Sequence, residues 1–299
     1  MNFLGFGGNS ASFVFKLTSS VKGRPLKSVT REGGVVEELV IFAGDEPIRG
    51  EVTVIPKSKK VEHIGIKVEL VGQIELNHDR GNPCEFTSLV RELDAPGTLY
   101  SEKTYAFDFS NVAKRYESYQ GLNVTVRYLL RATVSKQYGM VSTRSQEFWV
   151  QHLQSEPAVN NNIKMEVGIE ECLHIEFEYE KSKFHLKEAV VGKIYFLLVR
   201  IKIKYMELAI IRKETTGQGE NAVSDTETLN RFEIMDGCPV KGESIPVRLF
   251  LSDAKLTPTY DNVNNMFSVR YFLNLVLVDQ EDRRYFKQQE ITLHRAVFG

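Results

Sequence analysis

The stretch Val126-Arg127-Tyr128-Leu129-Leu130 recurs 143 residues later, from position 126 to position 269, as Val269-Arg270-Tyr271-Phe272-Leu273. Two further pairs keep the same order and an offset of 142 residues: Gly50-Glu51-Val52-Thr53-Val54 with Gly192-Lys193-Ile194-Tyr195-Phe196, and Tyr105-Ala106-Phe107-Asp108-Phe109 with Val247-Arg248-Leu249-Phe250-Leu251. One short echo arises easily by chance, but three in one order at one spacing indicate an internal duplication. The chain is therefore predicted to contain two tandem copies of one domain.

Apolar and polar residues alternate with a period of two through most of both halves, for example over 65–76, 124–134 and 267–278. Breaks rich in Gly, Pro, Asn and Asp separate these runs, which is typical of an all-β sandwich. We therefore predict an all-β fold of two tandem β-sandwiches. The predicted domains are 1–154 and 163–299, with a Pro/Asn linker at 155–162.

One segment of the first half has a different periodicity. Asn82 and Pro83 are followed by apolar residues at Phe86, Leu89, Val90 and Leu93, which is the i, i+3, i+4, i+7 spacing of a helix face. The sequence thus predicts one short amphipathic helix in the N-terminal sandwich.

The composition is that of an ordinary globular protein. Of 299 residues, 38 are Lys or Arg and 39 are Asp or Glu, which gives a formal charge of −1 and argues against a protein that wraps nucleic acid. The three cysteines form no CxxC motif and are predicted to be free thiols in a reducing compartment. The longest apolar run, 194–199, is too short to cross a bilayer.

Catalytic and metal-binding motifs are missing from the sequence. It contains no GxSxG nucleophile elbow and no GxxxxGK[ST] phosphate loop, and its six histidines have no metal-ligand spacing. His174 alternates with apolar residues, as a solvent-facing strand residue does. We therefore predict no catalytic residue, no bound metal and no cofactor, and hence a binding or scaffold protein.

Two groups of cations admit two interpretations. Arg200, Lys202 and Lys204 alternate with apolar residues, which predicts three cations on one face of one strand over 193–211. Lys57-Ser58-Lys59-Lys60 is predicted to be a basic hairpin loop. Each group is either a solvated surface or a contact for an acidic partner or anionic lipid headgroups.

Longer stretches carry a family resemblance. They are NIKMEVGIEECLHIEFEY at 162–179, GKIYFLLVRIK at 192–202 and RRYFKQQEITL at 283–293, with EHIGIKVE at 62–69, GQIEL at 72–76 and YESY at 116–119. These closely resemble the vacuolar protein sorting-associated protein 26 family, the arrestin-like subunit of the retromer coat. The resemblance covers nearly the whole chain and is weakest over residues 5–45 and 136–147.

The resemblance implies two curved β-sandwiches arranged as in arrestins and no enzyme activity. It implies a cytoplasmic protein, peripheral on the cytosolic face of endosomes, that helps to retrieve transmembrane receptors to the Golgi or the plasma membrane. Its direct partner would be the α-helical solenoid scaffold subunit of retromer. That scaffold carries a metallophosphoesterase-fold subunit at its far end, which this chain would contact only indirectly.

The family binds its scaffold through a loop of the C-terminal sandwich. The matching residues here are Ile234, Met235, Asp236 and Gly237, with 239–244 nearby. An Ile-Met pair beside a Gly/Pro turn is either a buried strand end or an exposed apolar contact. With the resemblance, we expect Ile234 and Met235 to anchor the scaffold.

A second family surface lies where the two sandwiches meet. There a PX-domain sorting nexin docks and a cargo cytoplasmic tail is added as an extended strand. Val167 and Phe286 match positions that line the cargo pocket. Membrane contact is expected to be indirect, through the nexin, because no amphipathic anchor or lipidation motif is visible.

A third family contact, with a PDZ-bearing sorting nexin, uses the hairpin at 42–49, where this sequence departs from the usual animal pattern around Gly44 and Pro47. That partner is not predicted. The alternative to the retromer role is a free arrestin-like adaptor that binds phosphorylated receptor tails through Arg200, Lys202 and Lys204.

Overall fold

The computed structural model describes residues 10–18, 23–79, 81–110, 112–169 and 171–296. The chain divides into two compact units, Met1–His152 and Leu153–Gly299. The segment 155–162, predicted as a linker, falls within the second unit. There the Asn160 side chain holds it, because Oδ1 accepts hydrogen bonds from the backbone N–H groups of Ser182 and Lys183 at 3.1 and 2.9 Å.

The first unit consists of β-strands joined by loops and short turns. Its strands are β1 (Ala11–Thr18), β2 (Leu26–Thr30), β3 (Val36–Ala43), β4 (Ile48–Pro56), β5 (Val61–His63), β6 (Gly65–Leu76), β7 (Cys84–Asp94), β8 (Gly97–Leu99), β9 (Lys103–Phe109), β10 (Tyr119–Gln120), β11 (Val124–Ser135) and β12 (Val141–Gln151). Single 3₁₀ turns lie at Glu32–Gly34, Asn77–Asp79 and Gln137–Gly139.

The second unit is built in the same way. Its strands are β13 (Ile163–Ile169), β14 (Leu173–Tyr179), β15 (Lys183–His185), β16 (Ala189–Val199), β17 (Ile203–Thr216), β18 (Val223–Asp236), β19 (Ser244–Phe250), β20 (Tyr260–Val263), β21 (Phe267–Asp279) and β22 (Arg284–His294). Its 3₁₀ turns lie at Gly219–Asn221 and Leu251–Asp253.

The two units repeat one sheet topology. The larger sheet of the first unit has the order β2-β3-β12-β11-β6-β7, and that of the second has β15-β22-β21-β17-β18. The smaller sheets are β1-β4-β9 and β13-β14-β16-β19. In each unit one short strand pairs in parallel with the last strand, β3 with β12 and β15 with β22. The all-β prediction is confirmed, and the duplication in the sequence corresponds to a duplication of strand order.

The core of the first unit lies between its two sheets. Buried side chains from the smaller sheet, such as Val52 and Phe109, pack in one cluster with Val68, Leu70 and Leu130 from the larger sheet. Each of these buried residues has a more exposed neighbour on its strand. The period of two in the sequence therefore corresponds to the alternation of core and surface positions.

The echoed glycines Gly50 and Gly192 occupy equivalent positions on β4 and β16, where a neighbouring strand comes very close. A Cβ atom added to Gly50 would lie 2.6 Å from the backbone oxygen of Lys16, and one added to Gly192 would lie 2.3 Å from that of Glu178. Only glycine permits this backbone approach in a sheet. The repeated glycine therefore marks the same close strand contact in both units.

The echoed tyrosines Tyr128 and Tyr271 also have equivalent roles in the two units, since each holds a loop. Both are fully buried, and each hydroxyl binds a loop just upstream. Tyr128 Oη donates to the Tyr116 carbonyl at 2.8 Å and accepts from its N–H at 3.2 Å. Tyr271 Oη accepts from the Thr257 N–H at 3.1 Å and lies 2.9 Å from Thr257 Oγ1. The shared Val-Arg-Tyr motif thus fastens one loop in each sandwich.

These bonds allow a direct test. Replacing Tyr128 or Tyr271 by Phe keeps the ring but leaves backbone groups of the upstream loop without a partner. Each change should lower the free energy of unfolding by about 2 kcal/mol, measured by urea denaturation. The exposed Tyr100, changed to Phe, is the control and should have no measurable effect. Equal stability of all three variants would contradict this assignment.

The predicted helix at 82–93 is wrong. The segment forms β7, paired antiparallel with β6. The register shifts twice, because Phe86 and Leu93 are extra residues opposite the Gly72–Gln73 and Ile66–Lys67 steps of β6. The bulge at Phe86 shifts the alternation by one residue, so that Phe86 and Leu89 both pack on the core although they are three residues apart; Leu93 follows four residues later on the same face. A bulge in a strand thereby produced the spacing of a helix face.

Candidate functional site

The residues expected to bind a scaffold lie at the end of β18, an edge strand of its sheet. Met235 pairs with Met206 and Glu233 pairs with Glu207, so Ile234 is an extra, bulged residue. In a regular strand one of two successive residues would face the core and the other the solvent. The bulge breaks this alternation, and as a result the Ile234 and Met235 side chains are both half-buried.

The turn that follows is held at both ends. Gly237 and Gly242 have φ values of 103° and 89°, in the region that favours glycine. The Gly237 N–H donates to the Lys204 carbonyl of β17 at 2.8 Å, and the Gly242 N–H donates to the Phe196 carbonyl of β16 at 2.7 Å. Because β16 and β17 belong to different sheets, the turn is fastened to both layers of the sandwich.

This fixed turn presents an apolar residue to solvent. Val240 is 68% exposed, although its N–H is bound by Glu243 Oε2 at 3.0 Å. Pro239 beside it is buried. We call Ile234, Met235, Asp236 and Val240 together the β18–β19 surface; Asp236 and Val240 are exposed, and Ile234 and Met235 are half-buried. Such a surface, with apolar centre and polar edge on a pre-ordered backbone, is suited to binding another protein.

The two residues expected to line a cargo pocket lie on different sheets of the second unit. Val167 is half-buried on β13, an edge strand that pairs with β14 alone among the described strands. Phe286 lies on β22 with 67% of its side chain exposed. An edge strand with unpaired backbone groups is what strand addition requires. An exposed apolar side chain such as Phe286 is available to contact a side chain of a bound peptide.

The predicted cationic strand face is wrong. The segment 193–211 is not one strand, because β16 ends at Val199 and β17 begins at Ile203. Arg200 and Lys202 lie in the connection, which crosses from one sheet to the other, and Lys204 lies on β17 with its Nζ 2.9 Å from Asp282. The three cations are exposed but do not share a strand face.

The sequence analysis missed one cluster on the outer face of β13 and β14. Glu166, His174 and Glu176 have ligand atoms within 4.8 Å of one another, and His174 Nε2 lies 3.6 Å from Glu166 Oε2. Carboxylate and imidazole are groups that hold divalent cations. The exposure of Glu166 and His174 is equally that of a solvated strand face, and we assign no metal to them.

Two histidines are buried together at the end of the second unit. His185 Nδ1 accepts from the Lys187 N–H at 3.1 Å, and its Nε2 lies 3.2 Å from the Ala296 carbonyl oxygen. The ring of His294 lies 5.9 Å away, between centroids. Burial lowers the pKa of His294, and His185 and Lys181 lower it further, against the opposing charges of Glu188 and Glu156.

This arrangement predicts how stability depends on pH. In the unfolded chain His294 binds a proton near the ordinary histidine pKa of about 6.5. In the folded chain its pKa is lower, so it binds the proton only at a lower pH. The free energy of unfolding should therefore be highest above pH 6.5 and should fall as the pH drops through that value. His294→Gln should flatten the fall in urea titrations between pH 7.5 and 5.5. The exposed His78, changed to Gln, should leave it unchanged.

A helix long and apolar enough to cross a bilayer is not found in the described residues.

Comparison with known proteins identifies the family. The family model described as "Vacuolar protein sorting-associated protein 26" matches residues 11–282. This chain belongs to that family. It is 56% identical to vacuolar protein sorting-associated protein 26 of Dictyostelium discoideum over 298 residues, which is 99% of this chain and 85% of the relative.

Other relatives are similar over the same length. Vacuolar protein sorting-associated protein 26B of Arabidopsis thaliana is 55% identical over 296 residues, 99% of this chain and 98% of the relative. The human 26B protein is 52% identical over 297 residues, 99% of this chain and 88% of the relative. Membership of this family makes the chain a protein-sorting component of the vacuolar and endosomal system, with an arrestin-like fold.

Proposed function

We propose that this chain is the arrestin-like, non-enzymatic subunit of a retromer coat. In this role it binds the N-terminal end of the α-helical solenoid scaffold subunit, and through it joins the metallophosphoesterase-fold subunit. It acts on the cytosolic face of endosomes, in retrieval of receptors to the Golgi and the plasma membrane. The observation that supports the proposal is the β18–β19 surface. Ile234 and Met235, which match the residues by which the family binds its scaffold, are half-exposed there.

The physical argument is one of pre-organisation. The turn is fastened to β16 and β17 by the N–H groups of Gly242 and Gly237, so little backbone entropy is lost when a partner covers it. Ile234, Met235 and Val240 supply apolar area, and such side chains contribute most of the binding energy where they fill pockets of a partner.

We further propose that a PX-domain sorting nexin and a cargo tail bind the second unit. The open edge of β13 supports this, because an added strand gains backbone hydrogen bonds there that do not depend on cargo sequence. Val167 and the exposed Phe286 would select an apolar cargo side chain. Contact with the membrane through the nexin is part of this proposal.

The test is a calorimetric titration of the full chain with the N-terminal part of the retromer scaffold subunit. Sub-micromolar binding with a negative heat-capacity change, the sign of apolar burial, is the expected result. Absence of heat and of co-elution on size exclusion would contradict the retromer role. A screen of phosphorylated receptor tails would then examine the alternative adaptor role, whose cations Arg200 and Lys202 remain exposed.

A further inference from the structure

A basic and apolar tip forms at one end of the first unit. Three connections meet there: the loop 57–60, the loop 100–102 and the hairpin turn 136–140. The turn 136–140 and residues 60–64 line one recess, and the Ile64 N–H donates to the Ser135 carbonyl at 2.8 Å. Val61, which follows the loop 57–60, pairs with Leu99, which precedes the loop 100–102. We call these three connections with Ile64 the basic tip.

The apolar side chains of the basic tip project into solvent. Tyr138 is 95% exposed, Tyr100 73%, Met140 52% and Ile64 51%. Tyr138 also has a φ of 61°, a left-handed conformation that is uncommon for a non-glycine residue and turns its ring away from the sandwich. Soluble proteins rarely gather exposed apolar side chains at one place unless they cover a partner surface.

The charge of the basic tip is mainly positive. Lys57, Lys59 and Lys136 make no ion pair within the described part of the chain, whereas Lys60 is paired with Glu62 at 2.8 Å. Glu102 is the other acidic group on these connections. Lysines around a few apolar side chains form the pattern that binds an anionic lipid surface, where the ammonium groups meet headgroups and the tyrosine lies at the interface.

We infer that the basic tip binds directly to an anionic membrane surface. A protein partner is less suited to it, because Tyr138 projects into solvent with 95% of its surface exposed. The turn is also closed on itself, since the Lys136 N–H is bound to the Met140 carbonyl at 2.8 Å and is not free to pair with an added strand. The contact adds to membrane recruitment through a nexin and does not depend on the retromer proposal, since the isolated chain suffices to test it.

The first experiment is co-sedimentation of the full chain with vesicles. Binding is expected with phosphatidylcholine vesicles that contain 30% phosphatidylserine, weaker in high salt, and absent with phosphatidylcholine alone. The pair Lys59→Glu and Lys136→Glu should reduce binding at least tenfold. The matched pair Lys187→Glu and Lys255→Glu changes the net charge equally and should retain it.

The second experiment reports insertion. Tyr138→Trp should give fluorescence that shifts to the blue and is quenched by brominated lipid, whereas the signal of the buried Trp149 should be the same with and without vesicles. Val223→Trp, an exposed site of the second unit, should show neither change. Circular dichroism confirms that each variant is folded.

Four outcomes would overturn the inference. They are absence of a phosphatidylserine preference, equal losses from both charge-reversal pairs, no quenching of Tyr138→Trp, or a fluorescence shift with a soluble acidic peptide but not with vesicles. Inositol hexakisphosphate separates a membrane surface from free phosphate. If it binds the wild-type chain as tightly as the vesicles do and no quenching occurs, the tip binds phosphate groups only.

Discussion

Ile234→Asp is expected to abolish binding of the retromer scaffold subunit while the chain stays folded. A carboxylate at the centre of an apolar contact would have to lose its water without gaining a partner, which costs several kcal/mol. The affinity should therefore fall at least about 100-fold in calorimetric titration. The fold should survive because Ile234 is a bulged, half-exposed residue at the end of an edge strand.

The control for this prediction is on the same strand. Val223 begins β18 and is 60% exposed, so Val223→Asp places the same charge on an exposed apolar residue far along the strand from the β18–β19 surface. It should bind the scaffold as the wild-type chain does. Equal loss from both variants would mean that charge on β18 is harmful in general. If both variants still bind the scaffold, the scaffold contact lies elsewhere on the chain.

Gly192→Ala is expected to be the most damaging small substitution in the second unit. The added Cβ would meet the Glu178 carbonyl oxygen at 2.3 Å and the Tyr179 ring at 2.7 Å. Since a backbone oxygen held in a sheet cannot rotate away, β14 and β16 would have to separate. Overpacking of this kind costs about 3 kcal/mol, to be measured as a fall in the free energy of unfolding by urea denaturation.

Gly168→Ala provides the matched control. Gly168 lies on β13, which pairs with β14 on the side opposite to β16, and its added Cβ would be 3.8 Å from its nearest neighbour, an ordinary contact. This variant should be as stable as the wild-type chain, or slightly more stable because alanine restricts the unfolded chain. A similar loss from both glycines would show that the sheet tolerates no added methyl group and that the close contact at Gly192 has no special weight.

Bulges explain most of what sequence reasoning could not find. In β7 the extra residue Phe86 shifts the alternation and gives the strand the apolar spacing of a helix. In β18 the extra residue Ile234 interrupts the alternation, so that Ile234 and Met235 are both half-exposed. A bulge is fixed by pairing with another strand, and its partner strand is distant in sequence, so a local pattern cannot reveal it.

Topology accounts for the other difference. Residues 193–211 contain an apolar run followed by alternating charged and apolar residues from Arg200 to Lys204, and the sequence alone offers no reason to break them into two strands. The chain crosses from one sheet to the other at Arg200 and Lys202, which are exposed in the connection. Likewise, the basic tip exists only because three connections distant in sequence end at one place, and no local signal marks Tyr138 as exposed.

The sequence by itself determined the all-β class, the duplication and the family. It could do so because alternation follows directly from the geometry of a strand. In addition, both sandwiches need a glycine at the close strand contact, Gly50 or Gly192, and a buried tyrosine that holds a loop, Tyr128 or Tyr271. The tertiary structure alone decided which apolar residues face solvent, where strands change sheets and which charges meet. Those depend on strand register and on contacts between distant segments, and neither is encoded within a short stretch of chain.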